Sequence, residues 1–398
     1  MKKIIINPFF MYSLTWGVVL ATYSLPWTTL FPRLSTGLFC FIFTTSIISI
    51  VLGCTFRRFF YYKLVSDIDP KKIGIWVKVL WGILIAEFLV YRSIPLFGYI
   101  QGTTQYRETE FGFPVLHIIM VNGFVFTALY TYYCLRSTID KHIKIKLKRY
   151  LFMAILPPFL LLSRSVLMEI ILCIIFIYLL SSKHTGRAIT AGCILGLCSL
   201  FVFGALGNLR TDGGQSEHLI LDIGEATDEF RNSIVPDELF WGYLYIASPM
   251  ANLQNTINQA DADPNNGRNW LSWGVYELMP ELVSKRLYPL LSSPPKRAIL
   301  ITDALTVSTV YANSYAGLGW WGMIGMFLFS MGFIFSVMLL VPPSSNLYVP
   351  AIISVNMVLF LNLFDNMFIF MGLIPLVWII IMLNINPLYT RLRKIQRP

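Results

Sequence analysis

LSTGLFCFIFTTSIISIVLGC, residues 34–54, runs without one charged side chain and then meets FRRFFYYK at 56–63. At 1.5 Å of rise per residue, a helix of this length covers about 30 Å, the thickness of a bilayer's hydrocarbon core. An apolar helix closed by a basic cluster predicts a membrane span whose basic end stays in the cytoplasm. The pattern recurs along the chain. Apolar runs at 8–27, 34–54, 73–91, 113–135, 150–163, 165–181, 188–207, 317–341, 348–364 and 367–385 predict about ten spans, with 150–181 forming a hairpin of two short helices.

Charge supports this threading. With the N-terminus inside, the cytoplasmic segments collect Arg57, Arg58, Lys63, Lys71, Lys72, the cluster from Arg136 to Arg149, Lys183, Arg187 and the C-terminal Arg391, Arg393 and Lys394, against only Asp67, Asp69 and Asp140. Most other acids fall on the opposite side. The expected fold is an all-α polytopic membrane protein: N-terminal transmembrane helices in 1–207 with an external loop at 92–112, a large, partly helical external loop at 208–316, and C-terminal transmembrane helices in 317–398. A loop that long is no plain connection. Within it, DELFWGYLYIASPMANLQNTINQ (237–259) alternates aromatic and polar residues at helical spacing. That suits a helix lying at the membrane surface and breaking near Pro249, or equally a packed helix of a small loop domain.

Composition agrees. The 398 residues are 56% hydrophobic, 15% aromatic and 13% charged, where a soluble domain has roughly a quarter charged. The net charge of +10 sits in short clusters between spans, not on one face, which argues against a nucleic-acid partner. No cleavable leader is expected, because the first apolar run holds Pro8 and Pro26 and lacks a small-residue cleavage site. The six cysteines lie in or beside apolar runs, as small packing residues.

The residues able to carry chemistry crowd the external side. In LLLSRSVLMEI, Arg164 lies about 22 Å along a helix from the basic cluster, in the outer leaflet, where a guanidinium either snorkels or clamps an anion in a protein cavity. Arg210 follows a span exit, and Arg92 and Arg107 lie in loop 92–112. Singly each reads as an interfacial anchor; together, against the positive-inside bias, they call for an anionic group. In YRETEFGFPVLH (106–117), His117 lies about one turn into a span after Pro114, with Glu108 and Glu110 close by. A histidine beside a carboxylate accepts a proton from a hydroxyl, or serves as a hydrogen-bonded structural residue. Asp303 is a further external carboxylate, and Glu87 and Glu169 lie within spans as potential arginine partners. The pairs Asp261–Asp263 and Asp67–Asp69 resemble a metal signature but lack a nucleotide-binding pattern around them. Four scattered histidines give no zinc site, and without a Gly-rich phosphate loop no cofactor or ATP coupling is expected.

Taken in order, SIPLFGYIQGTTQYRETEFGFPVLH (93–117), the arginine of LLSRSVLMEI, GNLR (207–210), YLYIASPMANL (243–253) and TDALTVSTVYANSYAGLGWWG (302–322) resemble bacterial oligosaccharide repeat-unit polymerases, the Wzy-type O-antigen polymerases. Two inserted residues leave open whether Glu108 or Glu110 takes the family's acidic position. The resemblance implies a GT-C-like fold and metal-independent glycosyl transfer at the periplasmic face of the inner membrane. A growing glycan on undecaprenyl pyrophosphate would pass to the hydroxyl of an incoming undecaprenyl-linked repeat unit. Arg164 and Arg210, supported by Arg107, would hold the pyrophosphate; His117, Glu110 or Asp303 would be the base. Sugars would stack on external aromatics, Tyr106, Trp241 and Tyr243 first, with Trp270, Trp273 and Tyr276 also on that side. A chain-length regulator is a candidate partner. The rival readings are an O-antigen ligase acting on lipid A core and, from another class, a repeat-unit flippase, which the lack of internal repeats disfavours.

Overall fold

The computed structural model describes residues 5–101, 111–184, 186–187, 190–192, 194, 196, 219–260, 269–291 and 294–395. Among them the main helices are α1 Pro8–Tyr23, α2 Thr36–Thr55, α3 Pro70–Tyr91, α4 Leu116–Ser137, α5 Lys141–Leu160, α6 Arg164–Ser181, α7 Glu238–Gln259, α8 Trp320–Leu340, α9 Tyr348–Leu361 and α10 Ile374–Ile395. The only β pairing among the described residues is the bridge between Thr28 and Ala226. Side-chain caps set several starts: Asn7 accepts from the N–H of Phe9, Ser35 from Leu38, Asp69 from Lys71 and Lys72, and Asp140 from His142 and Ile143.

Five helices among the described residues are long and apolar enough to cross a membrane: α2, the Pro70–Gly98 stretch containing α3, α4, α6 and α8. Tyr348–Leu361 and Ile374–Ile385 are apolar but shorter. Most of the expected span 188–207 lies outside the described residues. The opening stretch shows why such helices are suited to lipid. In α2, Leu38, Ile42, Thr45, Ser49 and Gly53 are buried, while Phe39, Phe43, Ile47 and Val51, spaced every four residues, form an exposed stripe. Both faces are apolar, so only packing separates them, and the bare face matches a hydrocarbon solvent. The core is elsewhere: 67% of the apolar window of α4 is buried, against 28% for α2. Helices α3, α5, α6 and α10 surround α4, and α9 packs on α1, α6 and α10.

The basic loops converge on one end of the bundle. Lys63 donates to the carbonyl of Pro343, the Val65 N–H to Ser137 Oγ (3.1 Å) and Arg136 Nε to Ser181 Oγ (2.8 Å). The opposite end, called here the loop end, carries the turns after α3 and α9 and the 219–318 segment.

Three expectations change. The helix expected from 150 begins at Lys141, where Asp140 caps it and its lysines stay solvated. The single run 317–341 breaks into Ala312–Leu318 and α8 at Gly319, whose φ of 61° with ψ of −142° is a conformation for glycine alone. Of the two readings of 237–259, the packed helix is the one found, and the break at Pro249 is absent. As α7 it runs unbroken through Pro249, buries Ser248, Asn252, Gln254 and Thr256 completely, and packs on α1 and the Ala312–Leu318 helix. Its amides explain the burial. Asn252 Nδ2 donates to the carbonyls of Leu305 and Val307 (2.7 Å each) and its Oδ1 accepts from the Ile301 N–H (2.8 Å). Asn255 donates to the carbonyls of Ile299 and Leu300. An irregular segment thus gains from side chains the backbone bonds that a strand partner would give.

Candidate active site at the loop end of the bundle

The last turn of α3 and the first of α4 build one constellation. Glu87 is fully buried on α3. Its Oε1 accepts the N–H of Phe113 at 3.0 Å, and its Oε2 lies 2.7 Å from Nδ1 of His117, one residue into α4. The turn between the helices is shaped to this pair. Tyr91 Oη donates to the carbonyl of Gly112 (2.9 Å), and the ring of Phe111 stands edge-on to the imidazole at 6.0 Å. Gly112 has φ of 98°, and a Cβ there would lie 2.3 Å from His117 Nδ1, so a side chain is excluded on both counts. Val115 also adopts a positive φ, 66°.

Donation from Nδ1–H to Glu87 leaves Nε2 of a neutral imidazole as a lone-pair acceptor. The His117 side chain is 21% exposed, and Nε2 has no hydrogen-bond partner among the described residues. A base held in one tautomer by a buried acid can take a proton from a hydroxyl, and the acid stabilises the imidazolium that results. The acid is Glu87, thirty residues upstream; Glu108 and Glu110 lie outside the described residues. The signal available was depth: both groups sit within about a turn of the same end of consecutive spans.

Arg164 is the first residue of α6, exposed, following Leu162 with φ of 55°. It forms no ion pair among the described residues. Nor does Glu169, which is buried with Oε2 unpaired. Tyr106, Arg107 and Arg210 lie outside the described residues. Asp303 is exposed on a turn. Trp241 is half-buried next to Tyr245, whereas Tyr243 is packed among Trp27, Phe31 and Phe240, with its hydroxyl donating to the carbonyl of Leu25 (3.1 Å). Those covered faces make Tyr243 a core residue rather than a sugar platform.

Sequence reading passed over Glu277. The short helix Trp270–Trp273 continues into a π turn, Gly274–Leu278, which points Glu277 inward, 5% exposed. Asn366 Nδ2 donates to the Glu277 carbonyl (2.8 Å) and to its Oε2 (3.2 Å). Burial pushes this carboxyl up to about 7; the Asn366 bond opposes the shift and neighbouring Asp365 adds to it. Glu277 lines a small cleft, open to solvent, between the π turn, residues 294–296 and the Ala312–Leu318 helix. The 362–373 turn ties both places together, since Asn122 of α4 donates to the carbonyl of Met371 (3.2 Å) and the Glu281 N–H to that of Ile369 (3.1 Å).

Among the described residues no group of three His, Cys, Asp or Glu side chains is arranged to hold a metal ion. No family model matches the chain, and no curated protein or solved structure matches it.

Proposed function

We propose that this chain is a repeat-unit polymerase of the O-antigen type, a glycosyltransferase that joins undecaprenyl-pyrophosphate-linked oligosaccharides. The reading takes the loop end as periplasmic, about ten helices as spanning a bacterial inner membrane, and the arrangement as GT-C-like. The bond between the donor's anomeric carbon and its pyrophosphate oxygen breaks, while the acceptor hydroxyl oxygen bonds to that carbon. The hydroxyl proton passes to Nε2 of His117, with Glu87 steadying the imidazolium. Arg164 stands where a guanidinium and the N–H groups of a helix's first turn attract the same anion, here the departing pyrophosphate. Arg107 and Arg210 are assigned the same role from the sequence.

The observation that carries the reading is the His117–Glu87 pair, in which the histidine belongs to the segment that resembles the polymerases and the acid precedes that segment. Deleting the gene and resolving surface glycan on a gel tests it. The expected result is lipid A core bearing a single repeat unit. Polymer stranded on undecaprenyl would mark a ligase instead, and loss of all external repeats a flippase.

A further inference from the structure

The cleft beside Glu277 has a chemistry of its own. Asn269 accepts the N–H groups of Leu271 and Ser272 through Oδ1, and Asn313 accepts that of Ala298, so each amide keeps its NH₂ for another partner. Trp273, 8% exposed, has a buried indole N–H with no partner. Its Cδ1, the atom next to that nitrogen, lies 3.4 Å from where a Cβ on Gly317 would stand, and Gly317 lines the cleft. A buried donor without a partner is destabilising, and a ligand oxygen would relieve it. The Glu277 carboxyl lines the same cleft. Lys296 lines it too and alone would suit an anion. A carboxyl, two amides and an indole instead suit a neutral polyol, in which each hydroxyl both donates and accepts.

Depth adds a second constraint. Trp270 and Leu271, on the helix that edges the cleft, are 57% and 69% exposed, and Trp321 opens α8 in the same manner. Exposed tryptophans at the end of an apolar helix mark the bilayer–water interface, where the head group of a lipid-borne molecule travels.

We propose that this cleft is a sugar-binding subsite for the lipid-linked glycan, with Glu277, Asn269, Asn313 and the Trp273 N–H as its hydrogen-bonding contacts. The assignment rests on the glycan reading above and adds a binding site distinct from the His117 pair.

Radiolabelled lipid-linked repeat unit, extracted from cells lacking the gene, is the probe, and its retention on immobilised full-length protein in detergent is the measurement. Wild type should retain it; Glu277→Leu and Trp273→Phe should each bind about tenfold more weakly, as expected for one lost buried hydrogen bond. Excess inorganic pyrophosphate should leave the ratio of wild-type to variant binding unchanged, and a ratio that vanished with it would overturn the sugar assignment. Monodisperse Glu277→Leu and Trp273→Phe proteins that both bind like wild type would overturn the subsite and leave the polymerase reading standing. Failure of wild type itself to retain the probe would overturn both.

Discussion

Nδ1 of His117 lies 2.7 Å from Oε2 of Glu87, joining the start of α4 to the end of α3 through a carboxylate that is fully buried. The second carboxylate oxygen is fixed by the N–H of Phe113. The acid therefore cannot turn without losing a backbone bond, and the imidazole inherits its orientation.

Glu87→Gln tests that relationship. Phe113 would hold the amide oxygen, so the new NH₂ would face Nδ1 and force the proton onto Nε2, the wrong tautomer for a base. Chain growth by purified protein should fall about 10²–10⁴-fold, as should that of His117→Gln, with lipid-linked substrate still bound. A folded Glu87→Gln protein that polymerises at the wild-type rate would remove His117 from the chemistry.

Gly112→Ala should destabilise by roughly 1–3 kcal/mol, combining a positive φ with a methyl driven into the imidazole. Gly17→Ala, in the middle of α1 with open space around it, should be neutral or stabilise by up to about 1 kcal/mol. Thermal unfolding followed by size-exclusion chromatography in detergent compares the two. Equal effects would mean that the turn does not depend on glycine.

Much of this architecture could be read from sequence, since uncharged runs such as 34–54 have few other solutions in water or lipid. Helix ends were harder. The charge along Lys141–Arg149 masks the helix that Asp140 caps, and Gly319 gives no sign of a break within an apolar run. The 237–259 pattern leaves a surface helix and a packed helix equally open, because it describes one helix, whereas its burial depends on what Asn252 and Asn255 reach across the fold. His117 was legible as a candidate; its partner was not, because pairing across adjacent spans follows from depth, not from spacing along the chain. Glu277 went unnoticed because a lone acid in a loop becomes distinctive only once a π turn buries it.

Asn252→Leu removes both donors and the acceptor that hold the 298–310 segment, leaving the Ile301 N–H and the Leu305 and Val307 carbonyls unpaired. At about 1–3 kcal/mol for each buried group left unsatisfied, the segment should open before the bundle does. Limited proteolysis should then cut near 300 at protease levels that leave wild type intact, while α4 and α9 stay protected. Unchanged cleavage would show that packing, not the amide, holds the segment.

Glu277 makes stability depend on pH in a defined direction. Its carboxyl is raised from an ordinary 4.5 to about 7 by burial. Below about pH 4.5 folded and unfolded chains both hold the proton, and the group has no effect. As pH rises from there to about 7, the unfolded chain releases the proton and the folded chain keeps it, so stability falls. Above about 7 the loss is complete and constant, roughly 3 kcal/mol for a shift of this size. Glu277→Gln has no proton to release and keeps an oxygen for Asn366. Across pH 4.5 to 7 the unfolding midpoint of wild type should therefore drop by a few degrees relative to the variant, with the two curves parallel above pH 7. Parallel curves over the whole range would mean that water reaches the Glu277 carboxyl freely.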